Sequence, residues 1–309
     1  MALTPEQQKT RSQGIGGSEI AAVLGLNPYC TPLDIWARKT GRVGDQEASE
    51  PMILGTHIGP GIAKAYAEIS GRVITHIGAY ERTHRHPELP LAVATPDGLI
   101  RKSKHAAPYE TLECKRPNPR NWERWGEPGT DQVPEEVYLQ AMWTAGVVGM
   151  SGATIVMPAY SLQSYYVPFD RELFGVMYCK AERFWEDHVC TGRPPPAVPR
   201  DGRLLSQVYH TDAGDSIAPS DEMRDLAIKY DVERESEKAC KDRKAEIAVR
   251  IKEIMEEAAV CEGSDYKVTW KSTKARIDWK RACIDASIET DSYTRPGTRP
   301  LKITVKETR

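Results

Sequence analysis

The chain has 309 residues, of which 28% are charged and 40% hydrophobic, with 42 basic against 44 acidic side chains. This length allows one large domain or a core with an appendage, and the hydrophobic fraction excludes a wholly disordered chain. The sequence has no run of about 18 apolar residues that would span a bilayer. Its polar N-terminus also lacks the apolar segment of a secretory signal. A net charge of −2 argues against binding nucleic acid through bulk positive charge alone.

The seven cysteines are scattered along the chain, with no CxxC pair and no regular spacing. An odd number without clusters predicts neither a disulfide framework nor a zinc or iron–sulfur site. We therefore expect a reducing, cytoplasmic setting. His84 and His86 lie two residues apart in a segment rich in Arg and Pro, which suits a solvated loop better than a metal site.

Glycine and proline divide the first third of the chain into three predicted helices. Ser18 is a candidate cap for the first helix, and Gly25 is a natural end for it. The second helix begins at Thr31-Pro32 and ends near Gly41. The third runs from about Pro60 to Glu68.

Alternating or β-branched stretches that are typical of strands follow this helical region. They occupy residues 72–80, 91–100, 109–116, 153–160 and 164–170. Further helices are predicted from Val133 to Val148 and from about Arg171 to His188. The pattern predicts an α/β domain with about five strands over residues 1–195.

The last third differs in kind, since a Pro-rich linker over residues 196–219 leads into an extension over residues 220–309. A long helix begins at Ser220 and carries one apolar stripe near its start and another further on, separated by an almost wholly charged segment. The stripes consist of Met223, Leu226 and Tyr230, and of Ile247, Ile251, Ile254 and Ala258. We interpret this helix as a solvated arm, with pairing to a coiled-coil partner as the alternative.

The end of the extension predicts a small β element, because residues 265–280 and 299–307 alternate like strands. From Gly263 to Arg309 there are eleven Lys and Arg residues against six Asp and Glu. With Tyr266, Trp270 and Trp279 among them, this region could contact nucleic acid by charge and stacking. The alternatives are that its aromatic side chains pack on the preceding domain, or that the charged arm docks a protein partner.

The most informative motif is Pro96-Asp97 followed by Glu113-Cys114-Lys115. Side chains two apart in a strand share a face, so Glu113 and Lys115 point into one cleft while Cys114 points into the core. Two carboxylates beside a lysine suit phosphodiester hydrolysis, because carboxylates bind Mg²⁺ and lysine positions water or stabilises the phosphorus centre. The motif alone is equally compatible with an exposed strand edge.

Several further motifs in one order make the sequence resemble the lambda-type phage exonucleases of the YqaJ-like viral recombinase family, within the PD-(D/E)xK nuclease superfamily. The resemblance covers roughly residues 8–195. Its motifs are Arg11 to Ala21, Thr31 to Gly41, Gly55-Thr56, Ala65 to Gly71, Pro96-Asp97-Gly98, Glu113-Cys114-Lys115 and Pro134 to Gln140. It implies a PD-(D/E)xK restriction-endonuclease-like α/β core. We expect a central mixed β-sheet flanked by helices, followed by the long C-terminal helix and the small β element.

The resemblance also implies roles for individual residues. Asp97 and Glu113 would be metal ligands with the backbone carbonyl of Cys114, and the cofactor would be Mg²⁺, for which Mn²⁺ can substitute. Lys115 would be the catalytic lysine. Gln140 would orient the site from the following helix.

Recognition of a terminal 5′-phosphate is implied for Arg11 and Ser18, a role that suits a guanidinium fork and a hydroxyl at a helix start. A plain helix cap is the alternative for Ser18. One position departs from the family pattern: Gly59 stands where a further metal-binding glutamate is usual. His57 is near in sequence but is a poorer ligand for Mg²⁺.

The implied activity is Mg²⁺-dependent digestion of double-stranded DNA from a 5′ end, which leaves a 3′ single strand for recombination. The implied partners are DNA ends, a single-strand annealing recombinase and further copies in a ring-like trimer, with no membrane partner. The setting would be the cytoplasm of a bacterial host, for a protein of phage or prophage origin. Two alternatives stay open: a PD-(D/E)xK endonuclease acting on internal or branched DNA, and a degenerate protein that binds DNA or a recombinase without cutting.

Overall fold

The structure is a computed structural model that describes residues 10, 12–44, 49–77, 83–116, 119–212, 214–272, 279, 281, 283 and 286. The chain divides into two compact units, residues 1–209 and residues 210–309. Within the described ranges, no helix combines the length and the apolar character needed to cross a membrane.

Two short helices open the first unit: α1 (Gly17–Val23) and α2 (Pro32–Lys39). The predicted cap of α1 is wrong, because Ser18 lies one residue inside the helix and Gly16 is the cap. The Glu19 carboxylate accepts a hydrogen bond from the Gly16 amide at 2.8 Å, which satisfies an otherwise unpaired amide of the helix start. In α2, Thr31 accepts a hydrogen bond from the amide of Asp34, as its sequence predicts.

The third helix, α3 (Glu50–Ser70), begins ten residues earlier than predicted. Pro60 and its neighbouring glycines indicate a break, yet Pro60 lies inside the helix. Ile62 and Tyr66 pack against the sheet in the predicted part. The added part has no buried residue over 50–58 and begins with Pro51 in its first turn, which favours a helix start. The helix ends at Gly71, which has a left-handed φ of 68°.

A five-stranded mixed sheet forms the centre of the first unit. In spatial order its strands are β1 (Val73–Thr75), β4 (Gly98–Arg101), β5 (Pro108–Cys114), β6 (Gly152–Pro158) and β7 (Leu162–Pro168). The β5–β6 pair is parallel and the other pairs are antiparallel. A separate two-stranded ribbon pairs β2 (His84–Arg85) with β3 (Val93–Ala94). The predicted strand over residues 91–100 is therefore two strands, and Asp97 lies between them.

Helices cover both faces of this sheet, which confirms the predicted fold class. The helix α4 (Glu135–Val148) connects β5 to β6, and α5 (Arg171–Phe184) follows β7. The first face buries residues of α1, α2, α4 and α5 in one core, while α3 packs on the second face. Within the first core, the buried indole N–H of Trp143 lies 3.2 Å from the carbonyl oxygen of Ile15 and 3.1 Å from that of Val93. This side chain therefore joins three distant parts of the sequence.

The first unit ends beyond the segment predicted as its last helix. A π-helical turn continues α5 over Trp185–Cys190, and a 3-10 turn (Pro199–Asp201) precedes the helix α6 (Gly202–Val208). The Arg200 guanidinium donates hydrogen bonds to the backbone carbonyls of Asn27 and Pro28. These contacts tie this part of the predicted linker to the first unit; the predicted boundaries at 195 and 219 stay predictions.

The second unit consists, in its described part, of the helix α7 (Asp221–Met255) and a hairpin of β8 (Val260–Glu262) and β9 (Lys267–Thr269). The Ser220 hydroxyl accepts a hydrogen bond from the Met223 amide, so the predicted start of this helix is confirmed. The predicted strand over residues 299–307 and most of the basic residues after Gly263 lie outside the described residues.

Candidate active site

Asp97 and Glu113 come together because β4 and β5 are antiparallel neighbours. Gly98 lies opposite Leu112, so Asp97, one residue before β4, comes beside Glu113. Two hydrogen bonds fix Asp97: its amide donates to the Leu112 carbonyl at 3.0 Å, and its Oδ2 accepts from the Cys114 amide at 2.8 Å. The position of this carboxylate is therefore set by backbone atoms.

Glu113 is buried, with a side chain only 4% exposed. Its Oε2 accepts hydrogen bonds from the Gln140 amide at 2.9 Å and from Lys115 Nζ at 3.4 Å. Its Oε1 is buried and has no hydrogen-bond partner among the described residues. A buried acceptor without a donor costs free energy unless a ligand or water satisfies it.

Lys115 and Gln140 complete a triangle with Glu113. Lys115 Nζ donates to Gln140 Oε1 at 2.7 Å, while the other end of the same amide donates to Glu113. The alternation of β5 places Glu113 and Lys115 on the face toward α4, and Cys114 packs on the opposite face against the core under α3. The sequence predicted this division of faces.

Burial shapes the electrostatics of the carboxylate pair. Desolvation raises the pKa of Glu113 to about 7; the Lys115 ammonium opposes this shift and the Asp97 charge adds to it. Desolvation also raises the pKa of Asp97 above its usual range, against the effects of the Cys114 amide and Lys115. Burial raises the pKa of the Cys114 thiol as well, which leaves its backbone carbonyl as the candidate ligand.

The donor set fits a hard divalent cation through two carboxylates. The unpaired Glu113 Oε1 is an acceptor that such a cation would satisfy, and Mg²⁺ in proteins is often held by one or two carboxylates together with waters. Among the described residues, no group of three or more His, Cys, Asp or Glu side chains is arranged to hold a metal ion. This agrees with Gly59, which is buried within α3 and offers no ligand atom from a side chain. His57 on the same helix is exposed and is not in the lining of the active-site cavity.

A cavity of about 200 Å³ opens over these residues. Asp97, Glu113, Lys115 and Gln140 all line it. Ser18 lines the same cavity from the start of α1, so the structure brings it together with the carboxylates. Arg11, its predicted partner in phosphate recognition, lies outside the described residues.

Several residues that line the cavity were not predicted from the sequence. Thr144 lies one helical turn after Gln140, and its buried hydroxyl lowers the pKa of Glu113. Its i+4 spacing from Gln140 was the available signal. Thr83 and Thr95 also line the cavity, with their hydroxyl oxygens 3.1 Å apart, and their sequence carries no comparable signal.

Gly17 allows α1 to lie close to α4 at this site. A Cβ atom on Gly17 would come within 2.8 Å of the Thr144 hydroxyl oxygen and 3.4 Å of the Gln140 side chain. Gly17 therefore has a steric role in the placement of both α4 side chains.

Residues 6–151 match the family model of the YqaJ-like viral recombinase domain. The chain is therefore similar to this domain over just under half of its length. The family resemblance seen in the sequence is thereby confirmed. The uncharacterized protein YqaJ of Bacillus subtilis (strain 168) is 26% identical over 283 residues, which cover 88% of this chain and 84% of that protein. This similarity extends beyond the recombinase domain itself.

Two crystal structures are also similar to this chain. The alkaline exonuclease LHK-Exo from Laribacter hongkongensis is 19% identical, with a TM-score of 0.48 over 65% of this chain and 100% of that one. The complex of LHK-Exo with dAMP is 17% identical, with a TM-score of 0.49 over 67% of this chain and 98% of that one.

Proposed function

We propose that this chain is a Mg²⁺-dependent deoxyribonuclease that hydrolyses phosphodiester bonds of double-stranded DNA. One observation carries the proposal: Glu113 Oε1 is buried without a hydrogen-bond partner among the described residues, in a cavity also lined by Asp97 and Lys115. The similarity to the YqaJ-like viral recombinase domain supports it, because the motif residues of the resemblance lie within the matched residues.

In this proposal Asp97, Glu113 and the backbone carbonyl of Cys114 hold the cation, and Mn²⁺ can replace Mg²⁺. When bound, such a cation lowers the pKa of water and neutralises charge that develops on the phosphate. The Cys114 amide keeps the Asp97 carboxylate in place through its 2.8 Å hydrogen bond. The Gln140 amide orients Glu113 through Oε2, which leaves Oε1 for the ligand.

Lys115 is the proposed catalytic lysine. Its side chain is 23% exposed, so its ammonium reaches the cavity while Gln140 fixes Nζ from the other side. From this position Nζ donates a hydrogen bond to the attacking water or to a phosphoryl oxygen, where negative charge accumulates during the reaction. Gln140 accepts from Lys115 and donates to Glu113, so it bridges the lysine and the carboxylate.

We further propose that the enzyme is an exonuclease that starts at a 5′ end and leaves a 3′ single strand for recombination. Ser18 on the cavity wall supports a site for the terminal phosphate, with Arg11 as its partner. Double-stranded DNA ends are then the substrate, and an annealing recombinase is the partner that receives the single strand. Assembly as a ring-like trimer in the cytoplasm of a bacterial host belongs to the same proposal.

The test uses linear duplex DNA labelled at either the 5′ or the 3′ end, with and without a 5′-phosphate. We expect Mg²⁺-dependent early loss of the 5′ label that is faster when the phosphate is present, and no reaction in a chelator. Asp97→Asn retains an oxygen that can accept from the Cys114 amide but removes a charged ligand, so it should abolish cleavage. Cleavage by Asp97→Asn at the wild-type rate contradicts the site, and cutting of covalently closed circles identifies an endonuclease.

Gly59 favours a second candidate function, a protein that binds DNA without cutting it. Where the family pattern has a carboxylate this chain has none, and the described residues supply no third acidic ligand. Retained DNA binding without metal-stimulated cleavage identifies this candidate.

Gly59→Glu tests whether the missing carboxylate matters. If the site lacks one ligand, the added carboxylate should raise the turnover of DNA cleavage several-fold at limiting Mg²⁺. Gly59→Gln is the matched control, because it adds similar bulk at this buried position without the charge. Equal rates for Gly59→Glu and the wild type show that the ligand is not needed.

A further inference from the structure

The helix α7 exposes an unusual amount of apolar side chain for its length. Its 35 residues extend for about 52 Å at 1.5 Å per residue. Met255 is the only buried residue in it. Leu226 is 54% exposed and Ile254 is 81% exposed, near opposite ends of the helix. An apolar face of this kind is stable in water when another surface covers it.

Ile228, Val232 and Val249 are exposed on other faces of the helix, whereas six exposed apolar residues follow a heptad repeat along one face. Spacings of three and four residues place them at the a and d positions of a coiled coil. In order, the a and d residues are Met223, Leu226, Tyr230, Glu233, Glu237, Cys240, Lys244, Ile247, Ile251 and Ile254. These ten residues form the seam of the coiled coil, which is apolar at both ends and charged in the middle.

The residues along this seam are complementary to the same residues read in the opposite chain direction. In an antiparallel pair centred between Glu237 and Cys240, every a residue of one helix faces a d residue of the other. The facing pairs are Met223 with Ile254, Leu226 with Ile251, Tyr230 with Ile247, Glu233 with Lys244 and Glu237 with Cys240. We propose that α7 binds the α7 of a second copy of this chain as an antiparallel two-stranded coiled coil.

The charges in the seam select the antiparallel direction. Glu233 of each copy lies opposite Lys244 of the other, which places two ion pairs between the apolar ends. Neither residue takes part in an ion pair within the described residues of its own chain. In a parallel pair Glu233, Glu237 and Lys244 would each face their own copies, and like charges in a seam repel.

The residues that flank the seam are compatible with this arrangement. Ala227 faces Ala248 of the other copy, and these small side chains permit close approach of the two helices. Arg234 faces Lys241, but each already has an acidic partner in its own helix, Asp231 and Glu237 respectively. Lys229 faces Arg250 at the rim of the seam, where solvent and salt screen their repulsion.

Pairing of identical helices in opposite directions is a two-fold arrangement, so it joins chains in twos. Each pair would carry two candidate active sites. The inference rests on α7 alone and is independent of the nuclease activity, which means that either proposal can fail without the other.

The test is the mass of the full chain by light scattering over a range of concentrations. We expect an even-numbered assembly: a reversible dimer of single chains, or two copies of the proposed trimer joined through α7. Glu233→Lys and Lys244→Glu should each weaken association at least about tenfold, because each places like charges in two layers of the seam. The double variant Glu233→Lys/Lys244→Glu should restore it. Glu235→Lys and Lys238→Glu make matched charge changes outside the seam and should leave association unchanged.

Several outcomes overturn the proposal: a monomer at every concentration, a trimer that none of the seam variants affects, or failure of the double variant to restore association. A disulfide readout is independent of charge. Leu226→Cys with Ile251→Cys should give an oxidised link between positions 226 and 251 of different chains, since about 37 Å separates them along one helix. A link from 226 to 226 in the single variant Leu226→Cys indicates a parallel pair and contradicts the inference.

Discussion

Gln140 has two neighbours of opposite charge at the candidate site, and one amide group serves both. Its oxygen accepts from Lys115 at 2.7 Å, and its nitrogen donates to Glu113 at 2.9 Å. The direct distance between the lysine and the glutamate is longer, 3.4 Å. The ammonium therefore keeps hydrogen-bonding capacity for a ligand in the cavity.

Lys115→Ala tests the role of this ammonium. We expect cleavage of linear duplex DNA to fall by about 10²–10³-fold, the usual loss when a group that stabilises developing charge is removed. Steady-state rates at saturating DNA and Mg²⁺ measure the effect. Lys104→Ala removes an exposed lysine between the same two strands and should retain activity. Equal losses in both variants would indicate general DNA binding rather than catalysis.

Glu113→Gln tests the effect of the buried carboxylate on stability. Because the pKa of Glu113 rises from 4.5 to about 7 on folding, the folded protein favours the protonated form. Its contribution to stability is fully present below pH 4.5 and is lost as the pH rises through 7. Without metal, Glu113→Gln should therefore melt a few degrees above the wild type at pH 8 and close to it at pH 5.

Added Mg²⁺ provides the internal comparison for this measurement. It should raise the melting temperature of the wild type at pH 8 and have little effect at pH 5, where protons compete for the same oxygens. In Glu113→Gln the Mg²⁺ effect should be much smaller at both values. If the wild type has a higher melting temperature than Glu113→Gln at pH 8 in a chelator, the result contradicts the proposed destabilisation by the buried carboxylate.

The core of this site could be predicted from sequence because it rests on local patterns. Strand alternation placed Glu113 and Lys115 on one face, the Pro96-Asp97 motif supplied Asp97, and the resemblance added Gln140. Thr144 could not be assigned, because its role depends on how closely α4 approaches β5. Local pattern also gave the wrong cap for α1, since the Glu19 side chain takes the place expected for the Ser18 hydroxyl.

At the scale of elements, the contact between α1 and α4 sets the width of the cavity. Gly17 lies at this contact, and a methyl group there would come within 2.8 Å of the Thr144 hydroxyl oxygen. The two helices also share one hydrophobic core through Ile20 and Trp143. Movement of α1 would therefore shift the residues that orient Glu113.

Gly17→Ala tests this contact. We expect the free energy of unfolding to fall by about 1–3 kcal/mol, the range for overpacked sites, because Thr144 or α1 must move. DNA cleavage should fall more than stability alone accounts for, which is measured well below the melting temperature. Gly175→Ala is the control, since a Cβ on that helical glycine meets no neighbouring atom within 4 Å. Full activity in Gly17→Ala would show that the contact does not position the site.

Helix boundaries were predictable where caps are local and unpredictable where proline and glycine interrupt the pattern. The starts of α2 and α7 follow from Thr31 and Ser220, whose hydroxyls bind amides three residues on. The early start of α3 was not predicted, because Pro60 and three nearby glycines indicate a break and only Pro51 in the first turn points to the start. The helix α6 was not predicted, because the proline-rich segment before it indicated a linker.

At the scale of the whole molecule, the chain divides between Tyr209 and His210. The described residues from 210 to 219 have no helix or strand and are exposed to solvent. Such segments are preferred sites of proteolysis, since a protease must bind an extended backbone.

Limited proteolysis should therefore cut between Tyr209 and Asp221 before it cuts within α3 or the central sheet. Arg203 and Arg224 bracket this region without a Lys or Arg between them, so chymotrypsin, which can use Tyr209, is the suitable protease. Mass spectrometry of the early fragments gives the sites. Early cleavage inside residues 12–44 would contradict the division into two units.

The candidate active site forms late in folding, because it depends on contacts between distant parts of the sequence, such as those of Trp143. Its indole joins Ile15, Val93 and α4, and the site itself takes residues from Gly16 to Thr144. Contacts between such distant residues carry a large loop-closure entropy and form after local structure. During synthesis, the cavity cannot close until α4 has left the ribosome. An incomplete chain that lacks α4 therefore has no complete active site. The proposed hydrolysis requires that the N-terminal motif has packed against α4.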